Sequence, residues 1–170
     1  TNFGATFIAA APDSRFVTEH IHRFPHKAGV EAYVNETKNK SERDRLTEGK
    51  KKTGVFTGLY AINQLNNKRL PIYVGDFALG NVGTGVLVGV PGLDLQDFEF
   101  AQTMGIEVVR FVIGPDHDSS PITKKEQVQE AIAAAESVFS ALGGLKAQRG
   151  LHVWLYGRED EYTFELIVEH

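Results

Sequence analysis

The sequence predicts an α+β fold. Six or seven short apolar runs bounded by turn residues read as strands, and three longer segments carry helical spacing. The clearest helix covers residues 124–142, where Val128, Ile132, Ala135 and Phe139 recur at the intervals of one helix face. Because the strands do not alternate regularly with helices, the parallel sheet of a βαβ fold is not expected.

The composition is that of one globular domain over residues 1–170. It has 42% hydrophobic and 24% charged residues, and its formal net charge of -4 argues against a broad basic surface for nucleic acid. The absence of cysteine excludes disulfides and thiolate metal sites, and we expect a cytoplasmic location. No apolar run is long enough to cross a membrane, and no signal peptide is recognisable. Because the chain starts at Thr1 without methionine, we expect a segment of a longer protein.

The first third of the chain predicts one strand and one helix. Residues 1–12 read as a strand, residues 15–26 are irregular, and residues 26–47 follow a helical pattern. Basic and acidic residues are interleaved over residues 38–52, which favours a solvated helix face over a dedicated RNA-binding patch. Three histidines in the irregular part have no acidic or cysteine partner arranged around them, so we interpret them as surface or packing residues rather than metal ligands. They are His20, His22 and His26.

A hairpin is predicted in the middle of the chain. Residues 53–65 and 70–79 read as two strands, with Asn66 and Asn67 as the turn between them. Pro71 has no N–H to donate to a ladder, so it should begin its strand or lie at an edge.

The last part of the chain predicts one more strand and a second hairpin. Residues 106–113 read as a strand, and residues 114–123 read as a polar loop. The terminal strands 151–156 and 162–168 should pair as an antiparallel hairpin that completes the sheet. An Asp-His-Asp run in the polar loop has no nucleophile beside it, so an exposed turn is favoured over a catalytic role. Its members are Asp116, His117 and Asp118.

Residues 76–101 carry the most site-like pattern. A glycine-rich bend leads into an apolar strand, a Pro-Gly break follows, and a helix opens with Asp94 and Asp97. Both faces of the strand are apolar, which predicts a central position in the sheet. Gly83 and Gly85 can bring backbone amides close to a ligand. The bend lacks the Lys-Ser/Thr ending of a phosphate-binding loop, which disfavours a nucleoside triphosphate site.

Four ordered blocks resemble a known family. They are GTGVLVGVP followed by Asp-x-x-Asp-Phe-Glu-Phe-Ala, KTGVFTGLYAIN, LPIYVGDF, and FGATF with EAYV. These blocks resemble the editing domain inserted in leucyl-tRNA synthetases, the CP1-type domain of class I synthetases, over about residues 1–130. The resemblance implies a β-barrel-like core flanked by helices, as in the editing domains of the Val, Ile and Leu enzymes. Residues 131–170 are divergent and lie outside the resemblance, and their own pattern predicts a helix and a β-hairpin.

The resemblance implies an aminoacyl-tRNA hydrolase activity within a leucine-tRNA ligase, an ATP-binding parent enzyme. The substrate would be tRNA(Leu) mischarged with isoleucine or methionine, and no cofactor or metal is implied. Asp97 matches the residue that anchors the substrate ammonium, and Asp94 matches its supporting acid. The alternative interpretation is a helix cap for Asp94 and a first-turn acid for Asp97. The implied substrate-binding residues, which are equally sensible as turn or core residues, are Thr1, Leu79, Gly83, Thr84, Gly85 and Val90.

Two positions depart from the family pattern. Leu93 stands where histidine is usual, and Val82 where an aromatic residue is common. These departures and the divergent tail motivate one alternative, a degenerate editing domain kept as a structural or tRNA-contacting module. A free-standing trans-editing deacylase is a second alternative. The partners implied are the 3' end of aminoacylated tRNA(Leu) and the remainder of the parent synthetase, with no membrane.

Overall fold

A computed structural model describes residues 2–37, 51–112, 118–141, 151–158 and 161–168. The helices are α1 (Arg15–His20), α2 (Lys27–Thr37), α3 (Leu95–Met104) and α4 (Lys125–Ala141), with short 3-10 helices at Asn2–Gly4 and Ile21–Arg23. The strands are β1 (Phe7–Ala10), β2 (Gly54–Asn63), β3 (Lys68–Gly75), β4 (Val86–Gly89), β5 (Leu151–Arg158) and β6 (Glu161–Val168). The α+β class predicted from the sequence is therefore confirmed.

The six strands form one mixed sheet in the order β4-β1-β3-β2-β6-β5. β1 runs parallel to β3 and antiparallel to β4, and β2 runs antiparallel to β3 and parallel to β6. Within the described strands, the two edges of the sheet approach each other but do not pair. The core is therefore barrel-like in its curvature but is an open sheet, and it is not a closed barrel.

Helices cover both faces of this sheet. On one face, β1 and β3 pack with Phe16 and Val17 of α1 and Val30 of α2. On the other face, Phe7 of β1 packs with Phe100 of α3 at 5.1 Å between ring centroids. A third cluster joins α3 to α4. The sheet thus forms the middle layer of the molecule.

The predicted central position of the glycine-bend strand is wrong, because β4 lies at an edge of the sheet. Its apolar pattern on both faces has a different cause. Val86 and Val88 pack into the cluster under α1 and α2, whereas Leu87 packs into the cluster under α3. Covered faces, rather than neighbouring strands on both sides, made the sequence of β4 apolar throughout.

Two further predictions need correction. Residues 15–20 form α1 rather than an irregular segment, with the Ser14 hydroxyl capping it by accepting a hydrogen bond from the Val17 N–H. Residues 106–112 form no strand. Their apolar side chains serve helix packing instead, since Val108 packs against the cluster between α3 and α4.

Pro71 was expected to begin its strand or lie at an edge, but it is inside β3, which lies between β1 and β2. The pairing of β3 with β1 starts only at Ile72, so proline is tolerated there.

The remaining elements agree with their predictions where the structure describes them. The β2–β3 hairpin turns at Asn67, whose φ is 55°, and the terminal hairpin β5–β6 is antiparallel and joins the sheet through β6. The predicted helix over residues 26–47 is found as α2, while residues 38–50 lie outside the described residues, as do Asp116 and His117. None of the described helices is long and apolar enough to cross a membrane.

Candidate functional site

Local sequence rules place Asp97 at the start of α3. Asp94 is the N-cap of this helix, and its Oδ1 accepts hydrogen bonds from the N–H groups of Gln96 (2.8 Å) and Asp97 (2.9 Å). Gly105 ends the helix in the left-handed conformation at φ 67°. Asp94 is exposed, and capping accounts for its position without a ligand.

The carboxylate of Asp97 is buried between two partners from different parts of the chain. Its Oδ2 accepts a hydrogen bond from the Val90 N–H at 2.9 Å, just beyond the end of β4. Its Oδ1 lies 3.6 Å from Nζ of Lys52, and the side chains of Asp97 and Lys52 are only 13% and 14% exposed. The first contact fixes the orientation of the carboxylate, and the second holds a primary ammonium ion against it.

Burial dominates the electrostatics of this carboxylate. Desolvation raises the pKa of Asp97 above the ordinary aspartate value, and the negative charge of Asp94 raises it further. The Val90 hydrogen bond and the Lys52 charge act in the opposite direction. The ammonium also lies 4.3 Å from the centroid of the Phe77 ring, within the range of a cation–π contact. Lys52 is thus held in a cage made of one carboxylate and one aromatic ring.

The glycine bend is explained by its own packing. Gly83 and Gly85 have φ values of 57° and 72°, which L side chains rarely adopt. A Cβ at Gly85 would come within 2.7 Å of the Ser14 Cβ. The Gly85 carbonyl accepts a hydrogen bond from the Ala11 N–H at 2.7 Å. These contacts join the bend to the loop after β1, and glycine is required there whether or not a ligand binds.

The structure brings some of the predicted site residues together and separates others. Val90 contacts Asp97 directly. The bend lies at the other end of β4, whose four residues span about 13 Å at roughly 3.3 Å per residue. Leu79 and Thr84 are half-buried on the bend side of β4, and Thr1 lies outside the described residues. The bend and the carboxylate therefore lie at opposite ends of β4 and do not form one cluster.

Sequence reasoning missed the ammonium that the cage holds and the aromatic ring of the cage. Lys52 and Phe77 are far from Asp97 in the chain, and no spacing rule connects them. Lys52 opens the KTGVFTG block and Phe77 closes the LPIYVGDF block, so the resemblance included both residues without a role for either. The structure also describes the two positions that depart from the family pattern. Val82 is 62% exposed, and Leu93 is half-buried just before α3. No group of three or more metal-ligating side chains occurs in the described part of the chain.

Comparison with known proteins identifies the family of this chain. The chain matches the family described as leucyl-tRNA synthetase, editing domain, over residues 1–153, beyond the recognisable blocks. It is 39% identical over 158 residues to a leucine--tRNA ligase of Rubrobacter xylanophilus. The aligned region covers 93% of this chain and 19% of that protein.

A solved structure shows the same likeness in three dimensions. The chain resembles part of agnB2 LeuRS of Agrobacterium radiobacter K84, solved as a ternary LeuRS-tRNA-LeuAMS complex. The TM-score is 0.53 at 25% identity, covering 98% of this chain and 17% of that one. The chain therefore spans about a fifth of the length of these relatives. Since the family match covers most of its residues, the chain belongs to the leucyl-tRNA synthetase editing-domain family.

Proposed function

We propose that this chain is the post-transfer editing domain of a leucyl-tRNA synthetase and hydrolyses the ester of tRNA(Leu) mischarged with isoleucine or methionine. Family membership supports the general assignment. The observation that carries the chemical part is the Asp97 cage, in which a buried carboxylate already holds a primary ammonium ion against the Phe77 ring. The α-amino group of an aminoacyl ester is also a primary ammonium, so the same cage suits it.

In this proposal Asp97 anchors the substrate through Oδ1, and the Lys52 ammonium gives way to the substrate ammonium. The Val90 N–H keeps the carboxylate in place during the exchange. Water adds to the ester carbonyl, the bond to the ribose oxygen breaks, and that oxygen takes up a proton. The products are the free amino acid and uncharged tRNA. An ester is already reactive, so positioning and oxyanion stabilisation supply most of the catalysis.

The remaining predicted residues divide between the two ends of β4. Val90 and Thr1 are proposed to line the amino-acid pocket, where leucine is rejected by shape because affinity alone discriminates poorly between near-isosteric side chains. Leu79, Gly83, Thr84 and Gly85 are proposed to contact the terminal ribose and adenine. The proposed partners are the 3' end of the tRNA and the remainder of a parent synthetase, and the reaction uses no metal or cofactor.

A second candidate is a module that contacts tRNA without hydrolysis. It is favoured by the exposed Val82, which offers no ring for stacking on adenine, and by Leu93, which offers no imidazole. In this case Lys52 would remain paired with Asp97 when tRNA binds.

The test is deacylation of Ile-tRNA(Leu), Met-tRNA(Leu) and Leu-tRNA(Leu) by the chain and its variants in the presence of EDTA. Asp97→Asn keeps an acceptor for the Val90 N–H but removes the charge, and we expect kcat/KM to fall about 10- to 100-fold, as for a lost charged hydrogen bond. Glu99→Gln is the matched control, because Glu99 is an exposed acid on the same helix that pairs with Lys125. It should leave the rate unchanged.

The outcomes separate the candidates. Editing is supported if the chain hydrolyses the isoleucyl and methionyl esters but not the leucyl ester, and if this hydrolysis is lost with Asp97→Asn. Binding of tRNA without turnover supports the non-hydrolytic module. Equal rates for Asp97→Asn and Glu99→Gln would show that the cage is not the substrate site.

A further inference from the structure

A second cleft lies on the α3 face of the sheet, away from the Asp97 cage. Its volume is about 260 Å³, and its lining includes Thr6, Phe56, Tyr60, Lys68, Arg69 and Tyr73. Gly105, at the C-terminal end of α3, also borders it. Asp97 lies in the first turn of the same helix, about 12 Å away at roughly 1.5 Å per residue. The two sites are therefore separate.

Three residues of the cleft lining carry hydroxyl groups that have no hydrogen-bond partner among the described residues. The Thr6 Oγ1 is one of them, and it is itself buried. A buried hydroxyl left unpaired is destabilising, so its position calls for an explanation. The phenols of Tyr60 and Tyr73 likewise have no hydrogen-bond partner among the described residues. Burial and the neighbouring Tyr60 raise the pKa of Tyr73, which keeps its phenol protonated as a donor.

Positive charge in the cleft is incompletely balanced. The Arg69 guanidinium lies 4.4 Å from the centroid of the Tyr60 ring, and among the described residues it has no carboxylate partner. The Lys68 ammonium lies 3.7 Å from the carboxylate of Glu107, which is 73% exposed and therefore well screened. Among the residues that the structure describes, two cations thus face one acid at the rim. Such a cleft favours an anion with several acceptor oxygens.

We propose that this cleft binds the phosphate of a nucleotide, either free or within a single RNA strand. The phosphate oxygens accept from Arg69 and from the phenol hydroxyls of Tyr60 and Tyr73, since the Thr6 Oγ1 is itself buried. The aromatic wall at Phe56 and Tyr60 provides apolar surface for a base. The base lies toward the end of α3, where the last carbonyls of the helix favour donors and repel anions. This orientation keeps the phosphate on the Arg69 side.

The test is titration with inorganic phosphate, AMP and a short single-stranded RNA, followed by calorimetry and by amide chemical shifts. Arg69→Gln should weaken AMP binding at least about tenfold, the loss expected for a charged hydrogen bond. Arg23→Gln is the matched control, because Arg23 is exposed on the 3-10 helix away from the cleft. Glu107→Gln should strengthen binding, since it removes the acid at the rim.

Thr6→Val tests the buried hydroxyl beneath the cleft. Valine has nearly the shape of threonine without the hydroxyl, so this variant should raise the thermal stability of the free protein and leave AMP binding unchanged, because the Thr6 Oγ1 is buried. Tighter binding of RNA than of AMP assigns the site to a strand, whereas equal affinity assigns it to a mononucleotide. Absence of binding by all three probes, or equal losses with Arg69→Gln and Arg23→Gln, would overturn the proposal. Asp97→Asn should leave these affinities unchanged. Amide shifts that change around Arg69, and not at the glycine bend, assign the binding to this cleft and keep the result independent of the adenine contacts in the editing proposal.

Discussion

Replacing Lys52 with methionine should make the stability of the domain strongly dependent on pH. Nζ of Lys52 lies 3.6 Å from Oδ1 of Asp97, and the two side chains are 14% and 13% exposed. At an effective dielectric constant near 20, the attraction at this distance is about 4–5 kcal/mol. Removing one partner of a buried pair typically costs about 3–5 kcal/mol, because a buried charge is left uncompensated.

Protonation of Asp97 limits this cost. Holding an aspartate neutral at pH 7 costs about 4 kcal/mol, and at pH 5 about 1.5 kcal/mol, relative to an unfolded pKa near 3.9. Burial already raises the pKa of Asp97, and loss of Lys52 raises it further. A carboxyl whose folded pKa is raised contributes stability that is complete below the unfolded pKa and is lost as the pH rises through the folded pKa. The deficit of Lys52→Met should therefore grow from pH 5 to pH 7.

The assay is urea unfolding of the native chain and Lys52→Met at several pH values from 5 to 8. We expect a deficit of about 3–4 kcal/mol at pH 7 and at most about 1.5 kcal/mol at pH 5. Lys27→Met is the matched control, because Lys27 forms an exposed pair with Glu31 in α2 and should change stability by only about 0.5 kcal/mol.

The double variant Lys52→Met/Asp97→Asn should recover most of the lost stability at pH 7, because it removes the uncompensated charge. A deficit below about 1 kcal/mol at pH 7, or one that is the same at pH 5 and pH 7, would refute a buried and energetically important ion pair.

Two further predictions concern local structure. Asp94→Ala removes the N-cap of α3 and should lower the free energy of unfolding by about 1 kcal/mol, whereas Asp94→Ser should retain most of it, as chemical denaturation can show. Gly89→Ala should destabilise the domain by about 1–3 kcal/mol, because the new Cβ would overlap the Phe7 ring. Gly29→Ala should instead stabilise α2 by up to about 1 kcal/mol, since its Cβ would meet Val55 at an ordinary 3.7 Å. Melting temperatures that move together in the two glycine variants would contradict the packing argument.

Much of the fold could be predicted because the relevant rules are local. Capping atoms lie within a few residues of one another, so Asp94 marked the start of α3 correctly. The turn at Asn67 and the apolar spacing of α4 were informative for the same reason. The prediction for residues 106–113 was wrong because an extended apolar run has the same pattern whether it pairs in a sheet or packs against helices.

The sequence by itself determined most helices and strands, the α+β class and the resemblance to an editing domain. It also singled out Asp97 and Val90, which the structure joins by a hydrogen bond. Only the tertiary structure decided that β4 lies at an edge, that Lys52 pairs with Asp97, and that the Thr6 Oγ1 is buried without a hydrogen-bond partner among the described residues. These features depend on how distant segments pack and on which strands pair. A residue's own neighbours in the chain carry little information about either.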